Sequence, residues 1–167
     1  YTGTGSAFMV YFIPTTHPDV PETTAEAFPK ILTAFAETLS KQFGFPAEYR
    51  PLNDVQVEGR KLVPTSLKIE NGVMTFRFVV NVKEMNTAFA GAAMPMPPEK
   101  VQDKVHKDLQ SRFTCLEREA GRCISAGDLE QMARVAVAHT FGEPTLEFGQ
   151  LTDVERTYAE EFRSVYD

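Results

Sequence analysis

Asn53-Asp54-Val55-Gln56-Val57-Glu58-Gly59-Arg60-Lys61-Leu62 is the stretch that decides how this chain is read. Apolar residues alternate on both sides of Glu58-Gly59, so it predicts two strands joined by a tight turn. Val55 and Val57 share one face of the first arm. The basic pair Arg60-Lys61 opens the second, which runs over residues 60 to 69 and is interrupted by Pro64. Asn71-Gly72 then signals a second tight turn, of type I′. Met74, Phe76, Phe78 and Val80 mark the core face of the strand that follows. Residues 53 to 80 therefore predict a three-stranded antiparallel meander.

Upstream, residues 7 to 13 are continuously apolar between Gly5 and Pro14, as in a strand buried on both faces of the same sheet. Residues 15 to 22 read as a Pro-rich loop. Phe28, Ile31, Leu32, Phe35, Leu39 and Phe43 then recur at helical spacing, with Gly44 as the stop. Pro29 suits a first turn, so the helix is expected to begin close to it. Downstream, residues 82 to 89 predict a short helix and residues 94 to 98 a Pro- and Met-rich break. Leu129, Met132, Val135 and Ala136 stripe a helix capped by Ser125. Thr152 and Glu155 are spaced as a capping box ahead of a last helix, whose apolar stripe is Leu151, Val154, Tyr158 and Phe162. These stripes read as core, not as cofactor contacts. The fold class is α+β: a mixed, mostly antiparallel sheet packed with helices, in one domain over residues 1 to 167.

Composition sets outer limits. The chain has 167 residues, is 43% hydrophobic and holds 13 Phe, enough for a sizeable core in one domain. Its net charge of −6 argues against nucleic acid as a partner, since phosphate binding needs a clustered basic face. No apolar run is long enough to span a bilayer and no signal peptide is evident. Cys115 and Cys123 flank a charged, helix-like segment and form no Cys-x-x-Cys pair. A reduced protein of the cytoplasm or an organelle matrix is the simplest reading. His17, His106 and His139 lack metal-ligand spacing, and His139 reads as structural near a helix C-terminus. Cys115 reads as a buried thiol.

Taken in order, these motifs resemble the lipoate–protein ligases, within the biotin/lipoate ligase superfamily, whose catalytic domain is class II synthetase-like. Asn53-Asp54 through Lys61 is similar to the family's central signature, an Asn-Asp pair leading through a Gly-Arg/Lys-Lys turn to an essential lysine. Residues 5 to 14 are similar, without gaps, to the Gly-Asn-Leu strand that follows the family's His-Asp pair. Phe78-Val79-Val80-Asn81 followed by Met85 resembles its Asn-x-Asp-Leu helix start. Ser111-Arg112-Phe113-Thr114-Cys115-Leu116 resembles its Ser-Arg-Val-Thr-Asn-Leu segment, and Leu151-Thr152-Asp153 the start of its final helix. Three departures accompany the likeness. The Arg-Arg-x-Thr-Gly-Gly-Gly loop has no clear equivalent and is expected upstream of Tyr1, so the domain is expected to lack its N-terminal portion. Val63-Pro64-Thr65-Ser66 replaces a Ser-Gly-Ser-Ala turn, and Pro64 removes a backbone N–H there. Met74-Thr75-Phe76 replaces a His-Gly pair.

The resemblance implies an ATP- and Mg²⁺-dependent enzyme. It would activate a lipoyl or medium-chain carboxylate as an acyl-adenylate and pass it to a lysine of a lipoyl carrier domain. Lys61 would face the acyl-adenylate, Asp54 would hold the metal, and Asn53, Asp54 and Thr65 would bind the nucleotide. A fixed ammonium suits that chemistry, because negative charge grows on oxygens around phosphorus. A magnesium ion held by one carboxylate plus phosphates is physically ordinary. Each residue also has a plain reading. Lys61 is equally a solvated strand-end lysine, Asn53 and Asp54 are equally turn formers, and Arg112 and Thr114 read as loop residues. The departures keep a second function open: a non-catalytic, ligase-like binding or scaffold subunit working with an accessory partner.

Overall fold

Two turns that need left-handed backbone shape the sheet. At Glu58-Gly59 φ is 49° and 79°, and at Asn71-Gly72 it is 50° and 75°. Positive φ at both central residues matches the right-handed twist of the flanking strands. The computed structural model describes residues 5–84, 109–142, 147 and 149–163. Its strands are β1 (Ser6–Pro14), β2 (Ala47–Arg50), β3 (Asp54–Val57), β4 (Arg60–Glu70) and β5 (Val73–Asn81). Its helices are α1 (Thr24–Phe43), α2 (Leu109–Arg112), α3 (Leu116–Ala120), α4 (Ala126–Phe141) and α5 (Asp153–Arg163). The strands form one sheet in the order β1-β5-β4-β3-β2, with every pair antiparallel. The expected meander and the first strand thus share one sheet, and β2 adds a strand that the sequence reading did not contain.

Pro64 does not interrupt β4. Residues 60 to 64 pair with β3, and from Thr65 onward the strand pairs with β5. The proline stands where the strand changes partner. Just before it the register shifts, so that Val55 faces Val63 while Gln56 faces Lys61. Leu62 is the extra residue, and both Leu62 and Val63 are fully buried. A bulge re-aims side chains in this way, and here it lets two consecutive residues enter the core.

The core lies between α1 and one face of the sheet. Met74, Phe76, Phe78 and Val80 of β5 meet Ile31, Leu32, Phe35 and Leu39 of α1, all with no exposed surface. Phe78 is the hub, with ring centroids 4.8 Å from Tyr11, 4.8 Å from Phe35 and 4.7 Å from Phe76. α1 starts a turn earlier than expected, at Thr24, with Pro29 inside it. The Thr23 side chain caps it by accepting from the Glu26 N–H, and Gly44 ends it with φ 80°. An interior proline removes the bond to the carbonyl four residues back. Burial of Ala27 ahead of the proline and of Ile31 and Leu32 after it offsets that loss.

Two other expectations are corrected. β1 is a sheet edge, and only one of its faces is buried. Met9 and Tyr11 lie opposite Phe78 and Phe76 on the core side, whereas Phe8 and Phe12 lie opposite Val79 and Thr75 and are 62% and 72% exposed. The stripe of α5 is also solvent-facing: Leu151, Val154, Tyr158 and Phe162 are all exposed and the helix buries no residue. Its capping box forms as expected, with the Glu155 carboxylate accepting from the Thr152 N–H at 2.7 Å. α4 carries the expected Ser125 cap and packs against α1. Residues 82 to 84 are not helical; the rest of that expected helix, the break at 94 to 98, Met85 and His106 lie outside the described residues. No helix among the described residues is long and apolar enough to cross a membrane.

Candidate functional site

The tight β3–β4 hairpin brings the two most charged sequence candidates together. Asp54 opens β3 and Lys61 is the second residue of β4. The Lys61 Nζ lies 2.7 Å from Asp54 Oδ2. The other carboxylate oxygen, Asp54 Oδ1, is buried with no hydrogen-bond partner. β2 adds Arg50, in register opposite Asp54. Arg50 donates to Gln56 Oε1 at 3.2 Å, and Gln56 Nε2 donates to Glu48 at 2.6 Å, a polar row along the strands.

The Ser-Arg-Phe-Thr segment reaches this hairpin from far along the chain. Phe113 forms a parallel bridge with Lys61, and the Thr114 N–H donates to the Lys61 carbonyl at 3.0 Å. Below that bridge, Arg60 lies 3.1 Å from Glu119, and the Thr114 hydroxyl donates to the same carboxylate. Thr114 is therefore a buried structural residue. Arg112 is not a plain loop residue. It lines the same cleft as Lys61 and Asp54, together with Arg50, Gln56 and Gly59, around a volume of about 300 Å³. The sequence reading missed this role, because the local spacing around Arg112 carries no trace of a strand bridged from far along the chain.

Asn53 and Thr65 meet each other. Asn53 Nδ2 donates to the Thr65 carbonyl at 2.5 Å, and the Thr65 hydroxyl donates to the Asn53 carbonyl at 2.6 Å. The Thr65 N–H adds a bond to the same carbonyl at 3.1 Å. This clamp fixes the spacing of β3 and β4 where β4 changes partner. It engages the Thr65 hydroxyl proton, so Thr65 Oγ1 can only accept, while Asn53 keeps its Oδ1 acceptor and the second N–H of Nδ2.

Cys115 is buried, and burial is the main cause pushing its thiol up; the nearby Glu84 carboxylate adds to it. A thiol held protonated is a poor nucleophile. His139, near the end of α4, sits 3.4 Å from Glu37 on the surface. Among the described residues no three His, Cys, Asp or Glu side chains converge as a metal cage. A cation in the cleft would thus have the unpartnered Asp54 Oδ1 as its protein ligand, with ligand oxygens or water completing the shell. Three cations against one carboxylate suit a polyanion. The residues present therefore fit a magnesium–polyphosphate ligand.

Residues 1–138 match the family model of the lipoyl protein ligase A/B catalytic domain. No curated protein matches the chain by sequence. Among solved structures, the chain is similar to a bi-partite lipoate protein ligase from Thermoplasma acidophilum, studied with its E2 lipoyl domain. That likeness has a TM-score of 0.77 and 17% identity over 96% of this chain and 60% of that one. A lipoate-protein ligase A bound with ATP gives a TM-score of 0.73 and 12% identity, over 96% of this chain and 61% of that one. The biotin protein ligase of Aquifex aeolicus gives 0.56 and 15%, over 81% and 52%. Identities this low show a shared fold. The chain spans about 60% of the length of the first of these relatives.

Proposed function

The chain belongs to the lipoyl protein ligase A/B catalytic domain family, and from that membership we propose that it supplies the phosphate-facing part of an ATP-dependent lipoate–protein ligase site. The observation that carries this reading is the Lys61–Asp54 pair at 2.7 Å inside a cleft of net positive charge. The reaction joins a lipoyl or medium-chain carboxylate to the α-phosphate of ATP and expels pyrophosphate. The amine of a lipoyl carrier-domain lysine then attacks the acyl carbonyl, forming an amide, losing a proton and expelling AMP. Lys61 keeps a compact ammonium where negative charge develops and polarises the acyl carbonyl for attack by the acceptor amine. Asp54 orients that ammonium through Oδ2 and would hold Mg²⁺ through Oδ1. Such an ion would supply neutralisation of phosphate charge. Thr65 accepts from the nucleotide's donor groups through Oγ1, and Asn53 accepts through Oδ1 or donates through its second amide N–H. The domain of residues 1 to 167 is completed by an N-terminal portion or an accessory subunit, and the protein works in the cytoplasm or an organelle matrix.

Pyrophosphate release by the intact protein, with ATP, Mg²⁺ and octanoate or lipoate, tests the reading. Release that depends on the acyl acid supports it. Binding of the acid without release supports a second reading, a ligase-like binding or scaffold subunit. The clamp of Asn53 on Thr65 and the missing N–H of Pro64 favour that alternative, since both withdraw backbone or side-chain donors from a ligand.

A further inference from the structure

We infer that Arg112 is the anion-binding residue of the cleft: its guanidinium receives a ligand oxyanion directly beside Lys61. The inference rests on the ligase reading above and adds a residue to it. A guanidinium cannot shed its charge and carries five donors in a planar fork. Yet Arg112 Nε is buried without a partner, and none of the hydrogen bonds or ion pairs among the described residues involves this side chain. None of its polar neighbours in the cleft bonds to it, Asp54 Oδ1 included, which itself stays unpartnered. Asp54 Oδ2 is taken by Lys61, and Gln56 accepts from Arg50 and donates to Glu48. A buried donor without an acceptor is costly. The position is nonetheless imposed by the fold, through the Phe113 bridge and the Thr114 N–H bond to Lys61. No acceptor among the described residues completes this geometry, and one arriving with the ligand would. Its chemistry is an oxyanion, either a phosphoryl oxygen of a nucleotide or the carboxylate of the acyl acid, and a planar fork takes either bidentately.

Calorimetric titration of the intact protein with ATP and Mg²⁺, with inorganic pyrophosphate and with octanoate separates the sources. Arg112→Gln is expected to weaken the recognised ligand by roughly ten- to a hundredfold, with Arg112→Lys intermediate. Losses confined to ATP and pyrophosphate assign the phosphoryl group, and a loss confined to octanoate assigns the carboxylate. Affinities within about twofold of wild type for all three ligands, in variants with an unchanged unfolding midpoint, overturn the inference and leave the ligase reading standing. A wild-type protein that binds none of the three overturns both. If neither variant folds, wild type decides: phenylglyoxal modification at Arg112 should slow under saturating pyrophosphate or octanoate, and equal modification with either one overturns the inference.

Discussion

Lys61, proposed to face the acyl-adenylate, is expected to be dispensable for folding and central to rate. Its side chain is 36% exposed and its partner Asp54 only 18%, so the pair straddles the surface. Half-exposed ion pairs stabilise little, and Lys61→Ala is expected to shift the unfolding free energy by less than about 1 kcal/mol. Pyrophosphate release should fall on the order of 10²–10³, as for the loss of one preorganised group facing developing negative charge. Lys61→Arg should not restore it, because a planar fork does not replace a compact ammonium. Equal rates in a well-folded Lys61→Ala protein would remove the residue from the mechanism. Tyr11 gives a residue-scale prediction of another kind. Burial pushes its phenol well above the ordinary range, and its hydroxyl has no partner. A group whose pKa is raised by folding lends stability below its unfolded value, about 10 for tyrosine, and loses it as pH climbs above that. Tyr11→Phe should therefore flatten the alkaline decline and cost nothing near neutrality. Denaturant titrations at about pH 7 and about pH 11 check this; the same decline in both proteins would exonerate Tyr11. At this scale the sequence was legible where chemistry is local. The hairpin signature announced Lys61 and Asp54, which do meet. Arg112 was illegible, because its place comes from the Lys61–Phe113 bridge, a contact that no local pattern encodes.

Elements were legible in proportion to their punctuation. Asn71-Gly72 and Glu58-Gly59 set both hairpins, and Ser125 set the start of α4, each through a backbone requirement that few residues meet. The four-residue strand β2 and the short helices α2 and α3 have too few positions to show a period. β1 misled for another reason. Its unbroken apolar run reads as burial on both faces, but the same run arises when one face packs on the core and the other stays open. The α4 cap also yields a prediction. Ser125 Oγ accepts from the Asp128 N–H at 3.1 Å, while the Asp128 carboxylate accepts from the Ser125 N–H at 2.8 Å. Ser125→Ala should cost about 1 kcal/mol, within the usual range of roughly 0.5–2 for such caps. The Arg122 guanidinium, followed by Ser125, holds the Asp128 carboxyl well below the usual carboxylate range. A lowered pKa lends stability above the unfolded value, about 3.9, and withdraws it as pH falls toward the folded one. The helix start should consequently fray in acid. Amide exchange over residues 125 to 129, followed from neutral to acidic pH, would show protection falling; protection indifferent to pH would count against the cap.

Across the whole molecule the apolar surface is divided unequally. The core face of the sheet closes on α1 with Phe35, Phe76 and Phe78 fully buried, whereas Phe8 and Phe12 stand on the opposite side and the α5 stripe faces solvent. Such a division places most of the stability in one layer. Phe35→Ala removes a ring that touches Phe78 at 4.8 Å and leaves a void where α1 meets the sheet. Large-to-small changes at aromatic core positions cost about 3–5 kcal/mol, through lost transfer energy plus the cavity. Tyr158, on α5, is 58% exposed and its helix buries nothing, so Tyr158→Ala should stay within about ±0.5 kcal/mol. The contrast is measured by urea unfolding of both variants at matched concentration. A large loss from Tyr158→Ala would mean that α5 packs in solution and belongs to the same cooperative unit. A small loss from Phe35→Ala would move the core away from the α1–β5 layer. This asymmetry also explains why the fold was easier to read than the extent of the site. The closed layer is written in periodic apolar residues within single elements. The cleft draws on β2, β3, the β3–β4 turn, β4 and the end of α2, whose convergence depends on register, bulge and bridge together.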